Sequence, residues 1–316
     1  RQALESPIIR LAHKILGGKQ MLYKDFSKEH DGEDSTWKVP NKLTIGCWQA
    51  GTSAEIAELT AIKYLEREYD KGNYIPESDM IIIPFNKSFG SIGLSKGIAN
   101  FLDNRRQQHP VEIIAGWNKS YFAIGDLVLH RNEEYIVTEI NRNSKYRGIH
   151  TDQDLIYNRF GTAIGRKSGN LLVEKSHDDI LNEILLQDDD KTTQDEASHV
   201  LTMQPVKTTR KNKGDSISIS SRGAINGTVL AYATTCHKAQ GLEARKVFIV
   251  VHKAHAVLLS REWLYTAVTR AREELVILCE RDTFIKGINN QQIKGNTLAA
   301  KAEYFKGKKA SQGTSY

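Results

Sequence analysis

Apolar residues recur every three to four positions in two stretches of the chain, which is the spacing of an amphipathic helix. The first stretch follows Ser6-Pro7, where serine can cap a helix and proline suits its first turn, and Gly17-Gly18 is predicted to end it. The second covers residues 54–69. A short apolar run at 80–85 predicts a buried strand, and the helix predicted over 91–106 follows it as a β-α unit.

The pattern changes after Tyr121, where apolar and polar residues alternate along FAIGDLVLHRNEEYIVTEI and predict short antiparallel strands. Residues 177–216 are polar, first acidic and then basic. They indicate a solvated insertion whose charges need have no specific role.

Buried strands then alternate with a helix, which favours a parallel sheet. The strands are predicted over 229–235, 247–251 and 274–280, and the helix over 260–272. The β segment is therefore expected to interrupt one α/β domain.

The composition is that of an ordinary globular protein. The chain has 316 residues, 40% of them hydrophobic and 26% charged, with 44 Lys+Arg against 38 Asp+Glu and a net charge of +6. These values exclude a wholly disordered chain, and at roughly 150 residues per domain they predict about two domains. The apolar runs are far shorter than the ~18 residues of a membrane-spanning helix, so no membrane partner is expected. The mild positive charge permits a nucleic-acid partner without requiring one.

Cysteine and histidine usage gives little sign of a metal or a disulfide. Cys47, Cys236 and Cys279 are odd in number and widely spaced, which favours a reducing cytoplasm. His252 and His255 lack a third ligand at suitable spacing, so no metal site is predicted. The start shows neither a signal-peptide pattern nor an initiator Met, and the chain is expected to be part of a longer protein.

Two segments carry the clearest chemistry, TTCHKAQGLE (234–243) and EWLYTAVTRAR (262–272). Thr235, His237 and Lys238 offer the donors that grip phosphate oxygens, at the predicted carboxyl end of a parallel strand. Gly241 lets backbone approach a ligand closely. Arg270 is predicted on the buried side of a helix, where it needs an anion; alternatively it complements the helix macrodipole. Both segments are expected at one edge of one sheet, where open α/β folds bind ligands.

The sequences HKAQGLE and LYTAVTRAR resemble motifs V and VI of superfamily 1 (group B) DNA helicases of the RecD/Dda-like type. Three further segments are similar to parts of the same family: RQALESPIIRLAHKI to the segment that opens the second motor domain, IIIPFNKS to motif IV, and FAIGDLVLHRNEEY to the start of an inserted barrel. The tryptophans are expected to pack in the core, except that Trp117 is flanked by polar residues and is the candidate for stacking on a base.

The resemblance implies a RecA-like α/β second motor domain with a parallel sheet, interrupted by a small Src-homology-3-like β-barrel. The implied division has four parts. It assigns 1–118 to the first part of domain 2A, 119–227 to the inserted barrel domain 2B with a polar insertion at about 163–225, 228–305 to the second part of domain 2A, and 306–316 to a polar tail.

The resemblance also implies roles for individual residues. The catalytic arginines that reach the γ-phosphate would be Arg1 and Arg270. Residues on the nucleotide side would be Glu243, Gly241 and Arg272, although Arg272 can equally be a surface charge. Residues that contact single-stranded DNA would be Thr235, His237, Lys238, Asn86, Lys87 and Ser88. Ala239 stands where the family usually has serine, which removes one hydroxyl.

A motor needs a GxxxxGK[ST] loop and an acidic residue that binds magnesium, and neither is recognised in the sequence. Residues 161–168 come nearest, but Arg166 replaces the second glycine and no buried strand precedes it. LVILCERD falls after motif VI, which favours a core strand over a magnesium site.

The chain alone is therefore expected not to hydrolyse ATP, and a first motor domain is expected upstream of Arg1 or in another chain. The complete protein would use ATP and Mg2+ and move 5′ to 3′ on single-stranded DNA in a bacterial or phage-type cytoplasm, with replication or recombination proteins as partners. Two alternatives stay open: a non-catalytic DNA-binding or interaction module, and a helicase-like subunit of a nuclease complex.

Overall fold

The computed structural model describes residues 6–18, 35–39, 43–49, 51–86, 89–141, 155–166, 200–208 and 213–292. Contacts between Cα atoms divide the chain into two compact units, residues 1–93 with 233–316 and residues 94–232. Of the predicted site residues, Arg1, Lys87 and Ser88 lie outside the described residues.

The described helices are α1 (Pro7–Leu16), α2 (Ala54–Asp70), α3 (Ser91–Arg106), α4 (Arg222–Asn226), α5 (Arg261–Val268) and α6 (Arg281–Asn289). The described strands are β1 (Ser35–Val39), β2 (Leu43–Trp48), β3 (Met80–Ile82), β4 (Val111–Ala115), β5 (Asn118–Phe122), β6 (Leu127–His130), β7 (Glu133–Ile140), β8 (Leu155–Tyr157), β9 (Ala163–Arg166), β10 (Leu201–Pro205), β11 (Ile217–Ile219), β12 (Thr228–Leu230), β13 (Ala244–Val251) and β14 (Ala271–Glu280). None of the helices in these parts of the chain has the length and apolar character needed to cross a membrane.

A five-stranded sheet lies at the centre of the first unit, in the order β1-β2-β14-β13-β3. β2, β14, β13 and β3 run parallel, and β1 pairs antiparallel with β2 at one edge. Residues 247–251 of β13 are 0% exposed. Such a continuous apolar run is typical of a parallel strand covered on both faces. The predicted α/β fold with a parallel sheet is confirmed.

The bounds of two helices were predicted closely. α3 has the predicted bounds, and α2 extends one residue beyond its predicted end, to Asp70. The Ser53 hydroxyl caps α2 by accepting a hydrogen bond from the backbone N–H of Ile56 at 3.3 Å. Ser6 makes no such side-chain cap for α1, although Pro7 opens that helix and Gly17 ends it as predicted.

The strand predicted over 229–235 was wrong, because the chain divides there between the two units. Residues 228–230 form β12, which pairs antiparallel with β6 in the second unit. Thr234 makes only an isolated parallel bridge with Ile82 in the first unit. The strand predicted over 80–85 is likewise shorter, since regular pairing ends at Ile82 and Pro84 has no N–H to donate.

The helix predicted over 260–272 ends at Val268, so the placement of Arg270 on a buried helix face was wrong. Thr269 and Arg270 form a turn, and Ala271 already pairs with Ala244 as the first residue of β14. Strand pairing with β13 therefore ends the helix earlier than its apolar pattern suggested. LVILCE lies within β14, whose residues 275–279 are buried, in agreement with a core strand.

An antiparallel sheet in the order β11-β10-β7-β6-β12 forms the second unit, together with the hairpins β4-β5 and β8-β9. The predicted antiparallel strands are present, and the Src-homology-3-like barrel stays a prediction. The residues 163–166 that resembled a phosphate loop form β9 of a hairpin. Part of the predicted solvated insertion is structured, because β10 lies within it. Leu201 and Met203 are 0% exposed, as expected for alternate residues that face the core side of a strand. The polar residues around them concealed this pattern in the sequence.

A buried ion cluster connects three segments of the second unit. The Arg159 side chain is 0% exposed and forms ion pairs with Asp103 and Asp126, each at 2.5 Å. Its Nη1 also donates to the carbonyl oxygen of Tyr121 at 2.8 Å. Burial alone would lower the pKa of Arg159, but the hydrogen bonds and charges of the two carboxylates raise it above its ordinary value. Arg159 is therefore fixed as a cation at the centre of this unit.

Candidate functional site

A single turn connects the two ends of the parallel sheet in the first unit. Thr235 follows the bridge between Thr234 and Ile82, at the carboxyl end of β3, whereas Ala244 begins β13 at the opposite end. Between them, the backbone N–H of Ala239 donates to the carbonyl oxygen of Thr235 at 3.0 Å. Gly241 has a φ of +81°, a conformation that glycine adopts without steric cost. Residues 235–243, hereafter the crossing turn, thus present side chains at both ends of the sheet.

The carboxyl end of the sheet holds the predicted DNA-contact residues that the structure describes. Thr235 is 7% exposed, and its hydroxyl has no hydrogen-bond partner among the described residues. A buried hydroxyl without a partner is costly, so this group is suited to a ligand. His237 and Lys238 are exposed on the crossing turn. Asn86 is also exposed, and its Oδ1 accepts a hydrogen bond from the Ser91 hydroxyl at 3.2 Å.

Arg270 lies at the amino end of the sheet and holds the crossing turn to α5. Its Nη1 donates to the carbonyl oxygen of Leu242 at 3.1 Å, and its Nε donates to that of Thr266 at 3.0 Å. Its Nη2 donates to the Thr269 hydroxyl at 3.3 Å. Within the described residues, no carboxylate pairs with this half-buried guanidinium. Among those residues, no carboxylate neutralises its positive charge.

The expectation that both motifs lie at one edge of the sheet is only partly right. Gly241 and Glu243 flank Leu242, whose carbonyl oxygen accepts from Arg270, and the N–H of Ala244 donates to the carbonyl oxygen of Arg270 at 3.1 Å. These contacts lie at the amino ends of β13 and β14. Thr235 lies at the carboxyl side instead, because the crossing turn runs back along the length of the sheet.

Two of the remaining candidates on the nucleotide side are exposed. Glu243 is exposed directly before β13, and Arg272 is exposed on β14. A Cβ added to Gly241 would meet nothing within 4 Å, so the backbone there is open to approach. Sequence reasoning missed Leu242 and Thr269, which fix the orientation of Arg270. A backbone carbonyl carries no sequence signal, and Thr269 looks like any other helix-end threonine.

The histidine pair occupies its ring nitrogens within the protein. His252 Nε2 donates to the carbonyl oxygen of Thr52 at 2.8 Å, and His255 Nε2 donates to that of Phe89 at 2.7 Å. The Nδ1 atom of His255 accepts from the backbone N–H of His252 at 3.1 Å. Burial lowers the pKa of His255 to about 4. The described residues contain no group of three potential metal ligands, and this pair is accounted for by loop structure.

The tryptophans divide according to exposure. Trp263 is 8% exposed and packs in the core of the first unit, whereas Trp117 is 87% exposed in the second. Trp48 packs edge-on against Phe89 and His252. The side chain of Trp37 lies outside the described residues.

Comparison with known proteins identifies the segment that contains the crossing turn, α5 and most of β14. Residues 230–278 match the UvrD-like helicase C-terminal domain. The resemblance to the C-terminal part of RecD-type superfamily 1 helicases is thereby confirmed for this segment. It encloses Thr235, Gly241, Glu243 and Arg270, the residues that the structure places along the crossing turn and beside it.

Two curated relatives support the same assignment over short segments. The ATP-dependent RecD2 DNA helicase of Deinococcus radiodurans is 54% identical over 44 residues, which are 14% of this chain and 6% of the relative. The RecBCD enzyme subunit RecD of Buchnera aphidicola is 33% identical over 58 residues, 18% of this chain and 10% of the relative. The aligned segments thus span a tenth or less of each relative.

Solved structures of Pif1 helicases are also similar to this chain. One is a structure of two Pif1 helicases at forked double-stranded DNA, with 14% sequence identity and a TM-score of 0.30. The match covers 82% of this chain and 49% of that one. Another is a structure of Bacteroides Pif1 with ADP-AlF3 and single-stranded DNA, with 14% sequence identity and a TM-score of 0.30. The match covers 97% of this chain and 55% of that one.

Proposed function

We propose that the chain is the C-terminal portion of an ATP-dependent DNA helicase that translocates on single-stranded DNA in the 5′ to 3′ direction. It contributes a second motor domain that contacts DNA phosphates at one end of its sheet and the γ-phosphate of ATP at the other. The P-loop and the magnesium ligands are expected from a first motor domain, in the same polypeptide or in another chain. Replication or recombination proteins are the expected partners.

The observation that carries this proposal is the setting of Arg270. Its guanidinium is anchored on two carbonyl oxygens and a hydroxyl, with no carboxylate partner in the described part of the chain. An arginine held in this way keeps its full charge available for an anion from outside. In phosphoryl transfer, such an arginine stabilises the charge that develops on the γ-phosphate oxygens. Arg1 is proposed to act with it, as the family resemblance implies.

The neighbouring residues fit the edge of a nucleotide site. The open backbone at Gly241 and the exposed carboxylate of Glu243 are suited to a polar ligand, with Glu243 proposed to contact the ribose. ATP, when bound with Mg2+, would supply the free energy of phosphate transfer to water. Arg272 is assigned to the nucleotide site because it follows Arg270 by two residues. Its side chain is exposed on β14, a position that also suits an ordinary surface charge.

Single-stranded DNA is the proposed ligand at the other end of the crossing turn. The unpartnered hydroxyl of Thr235 and the exposed His237, Lys238 and Asn86 supply hydrogen-bond donors suited to phosphate oxygens. Lys87 and Ser88 complete the proposed set from sequence. Because Arg270 holds Leu242 on the same turn, a movement of Arg270 toward a phosphate would pull on the segment that contains the DNA contacts.

The isolated chain provides a first test. We expect it to bind single-stranded oligonucleotides but to show no single-strand-stimulated ATP hydrolysis above background, whereas addition of its P-loop domain should produce both hydrolysis and strand-dependent stimulation. Robust turnover by the isolated chain would contradict the division of labour proposed here. DNA binding without any ATPase in the complete protein would favour the alternative, a non-catalytic module.

A further inference from the structure

An exposed tryptophan marks a second feature, in the second unit. Trp117 is 87% exposed at the tip of the β4-β5 hairpin, where Ala115 pairs with Asn118 across a two-residue turn. Gly116 has a φ of +70°, as the first central residue of such turns requires. One face of the hairpin is buried through Ile113 and Phe122. The tip is therefore a stable platform from which a large aromatic side chain faces solvent.

A cation lies against the same turn. A Cβ placed on Gly116 would come within 1.7 Å of Arg222 Nη2 and 2.1 Å of its Cζ, so the guanidinium occupies the space that a larger residue would need. Asn226, on the same helix α4, donates to the carbonyl oxygen of Ala115 at 3.4 Å and ties the helix to the hairpin. In the described residues, the Arg222 side chain has no hydrogen-bond or ion-pair partner. A guanidinium without a partner among the described residues thus lies against Gly116, the residue that precedes the exposed tryptophan.

The chemistry of this pair favours nucleic acid over a protein partner. Bases stack on exposed aromatic rings irrespective of sequence, and a guanidinium beside the ring can receive the adjoining phosphate. The residues next to the ring, Asn118 and Lys119, are exposed and polar. A protein interface would instead need a contiguous apolar surface around the tryptophan.

We propose that Trp117 and Arg222 form an additional contact for single-stranded nucleic acid, with a base stacked on the indole and a phosphate bound by the guanidinium. This contact lies in the second unit, whereas the DNA contacts proposed above all lie in the first. It extends the proposed function by adding a stacking contact to phosphate contacts, and it requires no nucleotide hydrolysis.

Binding of a fluorescein-labelled oligothymidylate of about 16 nucleotides to the 316-residue chain tests the proposal. Trp117→Ala should weaken binding about tenfold, because stacking contributes about one such factor per base, and Trp117→Phe should retain most of the affinity. Arg222→Gln should reduce the slope of log K against log salt by about 0.7, the value for one single-strand phosphate contact. Phe160→Ala removes another exposed aromatic of the same unit and serves as the matched control.

The outcomes separate this proposal from the proposed function. Unchanged affinity in Trp117→Ala, together with weaker binding in Thr235→Val, would overturn the second contact and leave the first-unit contacts standing. An equal loss in Phe160→Ala and Trp117→Ala would also overturn it, since the effect would then not be specific to the hairpin tip. Weaker binding in Trp117→Ala alone would support the second contact and contradict the role of Thr235. Absence of binding by the unaltered chain at low salt would overturn both.

Discussion

Replacement of Thr235 by valine separates a ligand role from a structural role, because the two predict opposite changes in stability. The substitution exchanges a hydroxyl for a methyl group of similar size on a side chain with the same branching. Thr235 is 7% exposed and its hydroxyl lacks a partner in the described residues. Leaving a buried polar group unsatisfied costs about 1–3 kcal/mol, so its removal should leave the free energy of unfolding unchanged or raise it by up to about 1 kcal/mol.

DNA binding should change in the other direction. A hydrogen bond to a charged group contributes about 1.5–3 kcal/mol, so loss of the Thr235 contact to a phosphate should weaken binding roughly ten- to a hundredfold. Fluorescence anisotropy with a labelled oligonucleotide measures the affinity, and urea unfolding measures the stability. Thr234→Val removes the same group one residue earlier and should leave the affinity unchanged. A Thr235→Val protein that is less stable by more than about 1 kcal/mol and binds DNA normally would refute the reasoning.

Two further predictions concern the buried charges and the buried imidazole. Arg159→Met should lower the stability of the second unit by about 3–5 kcal/mol, because Asp103 and Asp126 lose their buried counter-ion. Hydrogen exchange of the β6 and β7 amides measures this loss. Replacing both aspartates by asparagine in the same variant should restore much of the stability. Burial lowers the pKa of His255 to about 4 from an unfolded value near 6.5, so its stabilising contribution is present above pH 6.5 and is lost as the pH falls toward 4. Urea unfolding across this range should show a steeper decline than in His255→Gln, and parallel profiles would count against this role.

Local pattern was sufficient for elements whose stability is largely local. α3 shows its predicted bounds, and β13 was evident as an uninterrupted apolar run. The end of α5 was not predictable in this way, because residues 266–272 contain neither glycine nor proline. The helix ends where Ala271 pairs with Ala244, a partner 27 residues earlier in the chain. Such a terminus is set by tertiary pairing rather than by helix propensity.

Long-range partners explain the other failures. The hydroxyl of Tyr232 donates to Asp126 at 3.2 Å and helps to hold the residues before Thr234 in the second unit. The strand predicted over 229–235 is therefore divided between the two units. The sequence around Arg159 does not distinguish it from a surface charge, because its carboxylate partners lie 33 and 56 residues away. Thr235 and Arg270 were recognisable from the sequence motifs as candidates for contacts with phosphate groups. Their placement at opposite ends of the sheet required the path of the crossing turn.

The central claim, that this chain supplies a γ-phosphate arginine to a DNA motor, is tested most directly by the ATPase of the complete protein carrying Arg270→Ala. Turnover stimulated by single-stranded DNA should fall by a factor on the order of 10³, while the dissociation constant for ATP changes far less. Arg272→Ala, at the exposed second residue of β14, shows whether the loss of a neighbouring positive charge has the same effect. Equal losses of ATP binding and turnover in Arg270→Ala would contradict the account, because they would assign Arg270 to holding the crossing turn rather than to the reaction.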